Sequence, residues 1–245
     1  MVFRSRVKKF KRKKCASSAN PDAWYLTIDN RETVIVFDWD DTMLNSTELK
    51  RLGLGLHCEV QDPTLRASLA SVSVAACAAI REAAKYGTVW IMTNAEAGWV
   101  QMSCQTFLPD LAGLLFDEMH VPVISARTMF EGEYPGDYTR WKRLGFAYLL
   151  VSHVSMSDIL CTTNNILSIG DSNCERSAIL EVCAGLEHTW CKSIKLKEEP
   201  TCEAIVAQLR FLEQMLRVIY EHKGHIDICV HGDDTAPEVI PHLTF

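Results

Sequence analysis

Paired cysteines are missing from this chain. Its ten cysteines stand at 15, 58, 77, 104, 161, 174, 183, 191, 202 and 229, and no two have Cys-x-x-Cys spacing, which leaves a zinc site without its usual support. Several lie inside apolar stretches, where a free cysteine acts as a small hydrophobe and suits a reducing compartment. Long apolar runs are also missing. No stretch of 18 or more uncharged apolar residues exists, so no transmembrane helix is expected. The amino terminus has no apolar h-region, so no secretory signal is expected. The first 14 positions hold no acid but eight of the 25 basic residues, so the remainder carries 17 basic against 31 acidic groups, a net −14. A body that acidic argues against nucleic acid as its main ligand.

At 245 residues, with 48% hydrophobic and 23% charged composition, the chain suits one α/β domain or at most two small ones. Residues 1–20 read as a basic, disordered tail, 21–230 as the folded domain and 231–245 as a C-terminal extension in loop conformation. The run from Lys8 to Lys14 has three readings: a solvated tail, a contact for nuclear-import machinery, or adhesion to an anionic surface helped by lipidation of Cys15. A cytoplasmic protein is expected, with the nucleus or a membrane surface left open by the tail.

The stretch Thr33-Val34-Ile35-Val36-Phe37-Asp38-Trp39-Asp40-Asp41-Thr42 is a β-branched apolar run that ends in three carboxylates and a threonine. Such a run reads as a strand buried on both faces, as in a parallel sheet. If the backbone stays extended, Asp38 and Asp40 point to one side. Further strands are predicted at Thr88 to Asn94, Val121 to Ser125, Asn165 to Asp171 and Thr189 to Leu196, with Ile226 to Val230 as an added edge. Helices are predicted from Asp62-Pro63 to a C-cap at Gly87, over about 20 residues broken near Pro109, after Pro135-Gly136-Asp137, from Cys174 to Cys183, and from Pro200 onward. This alternation gives βαβ units and a three-layer, Rossmann-like α/β fold around a parallel sheet. The loops are too short to hold a large cap domain.

Ligands in open α/β sheets collect at the carboxyl ends of strands. Those ends carry Asp38 and Asp40, then Thr93 and Asn94, then Gly170-Asp171-Ser172 with Glu175 a turn beyond. Lys142 lies on the intervening helix, with Arg140 and Arg143 as rivals. In order, these stations resemble the motifs hhhDxDxT, hhhT, an isolated lysine and hhhhGDxxxE of the haloacid dehalogenase (HAD) superfamily. The match spans about 130 residues. The phrases Thr-Asn-Ala…Gly-Trp-Val (93–100) and Trp141-Lys142 look like a eukaryotic, cap-less branch. The resemblance implies a Mg²⁺-dependent phosphatase that works through an aspartyl-phosphate.

On that reading Asp38 and Asp171 each give the ion one hard oxygen, and the resemblance adds the backbone carbonyl of Asp40. Asp38 is the nucleophile and Asp40 the acid/base, an aspartate that dehalogenases and phosphonatases of the superfamily lack. Thr93, Asn94 and Lys142 meet the phosphate and balance its charge. Glu175 accepts from a metal-bound water behind the ligands. Asp41 and Thr42 shape the turn, Trp99 and Trp141 read as packing residues, and His57, His120 and His153 have no assigned role. His231-Gly232-Asp233-Asp234-Thr235 repeats a carboxylate pair without a strong strand before it. The expected partner is a phosphorylated substrate, a metabolite or a phosphoprotein. Two other readings stay open: a non-catalytic HAD-fold module that binds a phosphorylated or protein partner, and a phosphotransferase, which usually needs a cap.

Overall fold

The computed structural model describes residues 33–153, 164–186, 189–231 and 238–241. The basic run 8–14, Cys15, Cys161 and the carboxylates of Asp233 and Asp234 lie outside the described residues. The elements run β1 (Thr33–Phe37), α1 (Ser46–Arg51), α2 (Pro63–Ala83), β2 (Thr88–Thr93), α3 (Trp99–Phe107), α4 (Pro109–Ala112), a π-helical segment (Gly113–Glu118), β3 (Val123–Ser125), α5 (Ala126–Phe130), α6 (Tyr138–His153), β4 (Asn164–Gly170), α7 (Asn173–Cys183), β5 (Thr189–Lys195), α8 (Cys202–Glu221), β6 (Ile226–His231) and β7 (Glu238–Pro241). The strand order is β3-β2-β1-β4-β5-β6-β7. All pairs are parallel except β6 with β7.

Every residue of β1 is buried, and the strand alternation sorts them between two cores. Ile35 and Phe37 join Ile91, Leu167, Ile169 and Ile194 in a layer with α2, α3, α4 and α8. Val34 and Val36 join Met92, Ile124 and Ile166 in a layer with α5, α6 and α7. A sheet covered on both faces cannot have a polar face, which is why β1 and β2 read as continuous apolar runs.

α2 starts as read. The Asp62 side chain accepts from the Thr64 amide at 2.8 Å, and Pro63 takes the first helical position. By length and composition this helix is apolar enough to cross a membrane, but Leu69, Val72, Ala76, Ala79, Ile80 and Ala83 are buried in the core.

Several expectations change. Gly87 is not the C-cap: α2 ends at Ala83, with Ala84 as its right-handed C-cap. Gly87 is needed for close approach instead, because a Cβ there would lie 2.3 Å from the Thr33 carbonyl oxygen. β3 is shorter than read, since Pro122 has no amide to donate to a ladder, although its carbonyl accepts from Ile91 at 3.0 Å. The helix expected after β2 is divided into α3, α4 and the π-helical segment. Ser125 caps a further short helix, α5, accepting from the Thr128 amide. The last 15 residues are not all loop. Glu238–Pro241 pairs antiparallel with β6, so β6 is an inner strand and β7 the edge.

Candidate active site

The order of strands reverses between β1 and β4, the place where an open α/β sheet leaves a crevice at its carboxyl edge. Phe37 pairs with Ile169, and the Asp38 amide extends that ladder by donating to the Ile169 carbonyl at 2.8 Å. Asp38 therefore enters the crevice from one strand and Asp171 from its neighbour. A side chain on Gly170, between them, would put its Cβ 2.8 Å from Glu175 Cγ and 3.3 Å from Asp38 Cβ. Only glycine leaves room for both carboxylates.

Beyond β1 the chain turns sharply. The Trp39 carbonyl accepts from the amides of Thr42, Met43 and Leu44, and Asp41 takes a left-handed conformation, φ 54°, which aspartate tolerates better than most residues. The Asp41 carboxylate accepts from the Thr47 amide at 3.0 Å and from its hydroxyl. It caps α1, whose N-cap Asn45 gives no side-chain cap bond. Thr42 places its hydroxyl 3.5 Å from Asp171 Oδ1 and so spans the two strand ends.

Asp38, Asp171 and Glu175 form one cluster, with ligand oxygens all within 4.8 Å of one another, and that cluster could hold a metal ion. Lys142 comes from the first turns of α6, where the Asp137 side chain caps the Arg140 amide at 3.0 Å. Its ammonium is 1% exposed. It donates to Asp38 Oδ1 at 2.5 Å and to the Met92 carbonyl at 2.6 Å, and it lies 2.9 Å from Glu175 Oε1. The rival cations are occupied elsewhere. Arg143 pairs with Glu181 at the surface, and the Arg140 guanidinium sits 3.6 Å from the Tyr134 ring centroid. The close approach of α6 to β2 uses another glycine, since a Cβ on Gly145 would meet Met92 Sδ at 2.9 Å.

Crowding of like charge sets the electrostatics. Burial pushes the Asp38 carboxyl well above the ordinary aspartate range; the Lys142 ammonium opposes this, and Glu175, Asp171 and Asp40 reinforce it. Burial, with the charges of Glu175 and Asp41, pushes Asp171 up to about 7. Burial also acts to raise Glu175, but Lys142 and the Ser172 hydroxyl, which donates to it, outweigh that and hold it below the ordinary glutamate value. Burial acts to lower Lys142, and the Asp38 and Glu175 carboxylates overcome it.

Asp40 lies beside this cluster, half-buried, with both oxygens held. Thr93 Oγ1 donates to Oδ2 at 3.1 Å, and Trp99 Nε1 donates to Oδ1 at 2.9 Å. Thr93 also accepts from the Ala95 amide at 2.9 Å, which bends the chain after β2. Asn94 ties the end of β2 to α6 by donating to the Tyr138 carbonyl at 3.2 Å. Glu175 reaches into the carboxylate cluster rather than standing behind it.

Trp99 packs against the core as expected, and its indole N–H in addition fixes Asp40. A left-handed glycine, Gly98, φ 89°, starts α3 and places the tryptophan in its first turn, a placement that no local sequence pattern marks. Trp39, between the two aspartates, is fully buried and donates to Ser103 on α3 at 2.9 Å, which fixes the same helix. Trp141 packs as expected, with its indole on the Tyr134 carbonyl at 2.6 Å.

No family model, no curated protein and no solved structure matches this chain.

Proposed function

We propose that this chain is a Mg²⁺-dependent phosphomonoesterase of HAD type. The observation that carries the reading is the buried cluster of three carboxylates, two of them on one lysine, at the strand switch point. With its carboxylates ionised the cluster is −3, Lys142 contributes +1, and the balance of −2 suits one divalent cation. The donors are all carboxylate oxygens, which fits a hard ion such as Mg²⁺. Asp38 and Asp171 would hold it, with Glu175 beside them. Bound there, it would cancel that excess negative charge and so let a phosphate dianion approach.

The chain's own residues supply the rest. Lys142 restrains Oδ1 of Asp38, and Oδ2 accepts no hydrogen bond among the described residues, so Oδ2 is the oxygen left to attack phosphorus in line. As the Asp38–phosphorus bond forms, the ester P–O bond breaks, and the departing oxygen takes a proton from Asp40. A water that gives its proton back to Asp40 then attacks the same phosphorus, the Asp38–phosphorus bond breaks, and phosphate leaves. Trp99 Nε1 can only donate, so Asp40 Oδ1 stays an acceptor in both halves. The Thr93 hydroxyl can donate or accept, so a proton on Oδ2 is accommodated.

Hydrolysis of small phosphomonoesters by the purified protein tests this. Activity is expected with Mg²⁺ and not with a chelator. Asp38→Asn should lower kcat by at least ~10³-fold with the fold intact. An Asp38→Asn protein as active as the parent removes the nucleophile and the reading with it.

A further inference from the structure

A pocket of about 410 Å³ opens beside Asp40 and Trp99, with Leu44, Leu49, Leu54 and Phe107 among its walls. It shares Asp40 with the site, and on the reading above Asp40 protonates the leaving oxygen. Whatever is attached to that oxygen therefore lies where this pocket begins.

The wall opposite α3 is built, not loose. Asp41 holds Thr47, and Asn45 donates to Cys202 Sγ at 3.2 Å. Arg51 pairs with Glu199, and the Leu54 amide donates to the Leu49 carbonyl at 2.9 Å. The volume is near the small end of ligand pockets, which run ~300–1,000 Å³. Of the polar side chains on its border, Thr47 is engaged with Asp41 and Asp40 is held by Thr93 and Trp99, which leaves Ser46 and the exposed Lys50 to meet a polyol's hydroxyls, fewer partners than those hydroxyls have in water.

We infer that this pocket is the leaving-group subsite, and that the substrate is a small phosphomonoester of a compact, ring-sized apolar alcohol. The inference rests on the phosphatase reading and specifies its substrate class. An apolar ring fits walls of leucine and aromatic side chains, gains by leaving water, and reaches Asp40 through its ester oxygen.

Benzyl phosphate and glycerol 3-phosphate test it, both being esters of primary alcohols. With Mg²⁺, kcat/KM should favour benzyl phosphate by at least ~10-fold. Leu54→Asp, at a half-buried position, should cut that preference to within ~3-fold, mainly by raising KM for benzyl phosphate. Turnover of both esters without preference, or a preference that Leu54→Asp leaves unchanged, overturns the subsite and leaves the phosphatase standing. Turnover of neither ester by folded protein supplied with Mg²⁺ overturns the phosphatase reading. A second readout needs no turnover. Benzyl alcohol titrated into metal-free protein should move the Trp99 indole N–H resonance, assigned by its loss in Trp99→Phe, and should not move it in Leu54→Asp. A resonance that stays fixed in the parent overturns the subsite.

Discussion

Lys142 and Lys192 are both buried to the ammonium, at 1% and 0% exposure, yet they lie in unlike company. Lys192 stands on β5 and donates to the carbonyls of Ile219, Tyr220 and His222 at 2.5, 3.0 and 2.9 Å. These are the carbonyls at the end of α8, which lack partners within the helix and carry the negative end of its dipole. Lys142 instead meets one carbonyl and two carboxylates. The first arrangement is closed: backbone oxygens cannot titrate, move away or react. The second is open, because each of its carboxylates can also take a metal ion, and one oxygen of Asp38 is left over. A buried cation is therefore no sign of chemistry by itself; the partners decide.

Replacing each lysine in turn is the direct way to break this comparison. Lys142→Met should have the largest effect, lowering kcat by ~10²–10³-fold and removing ~3–5 kcal/mol of stability, because Asp38 and Glu175 would be buried without their cation. Lys192→Met should cost ~2–3 kcal/mol, the loss of a charged donor to three carbonyls, and leave kcat of the folded protein unchanged. Denaturant unfolding and steady-state kinetics on both variants check this. A Lys192→Met protein whose kcat falls as far as that of Lys142→Met would mean the two sites do not differ as argued.

How far the sequence reveals this difference depends on the type of residue. Asp38, Thr93 and Asp171 could be placed from the sequence because each ends an apolar run, and the end of a buried parallel strand is where the sheet stops covering a polar group. Lys142 carried no such mark. It lies on a helix between Arg140 and Arg143, and only the pairing of α6 with β2 shows which of the three turns inward. Lys192 was invisible for the same reason, as a charge in the middle of Thr189–Lys195, where a strand reading expects none. Gly87 misled because a glycine after a helix is usually a cap, and here the Thr33 backbone required it. Bonds between distant elements, such as Trp99 to Asp40, leave no local pattern.

The carboxylate side of the comparison should also show itself in the pH dependence of stability. The folded-state value for Asp171 is raised to about 7 from 3.8, so between these pH values the folded protein binds more protons than the unfolded chain. Stability of the metal-free protein must then fall as pH rises through that window and stay lower above it, with Asp38 acting in the same sense. A loss of ~2 kcal/mol between pH 4.5 and 8 is expected, less than the full shift allows because Asp171 is partly exposed. Asp171→Asn should lessen the slope and leave the part due to Asp38, saturating Mg²⁺ should restore stability at pH 8, and Lys192→Met should keep the parent's slope. Thermal melts across that range, with and without Mg²⁺, read all three, and a parent whose stability rises from pH 4.5 to 8 would contradict the crowding of these acids.

The smallest expected effect separates holding a carboxylate from using it. Trp99→Phe keeps the aromatic body beside the pocket and removes only the indole N–H from Asp40 Oδ1. Asp40 would then be restrained by Thr93 alone and would sample more than one orientation, so kcat should fall ~10-fold, equivalent to ~1.4 kcal/mol of barrier. Stability should change little, because the lost bond is at a half-buried site where water can replace it. If Asp40 is the group that protonates the leaving oxygen, the loss should be larger for alkyl phosphates, whose alcohols need that proton, than for nitrophenyl phosphate, whose phenolate leaves readily without it. An equal loss on both would assign Trp99 to packing of α3 and would remove Asp40 from the acid's role, while leaving the contrast between Lys142 and Lys192 intact.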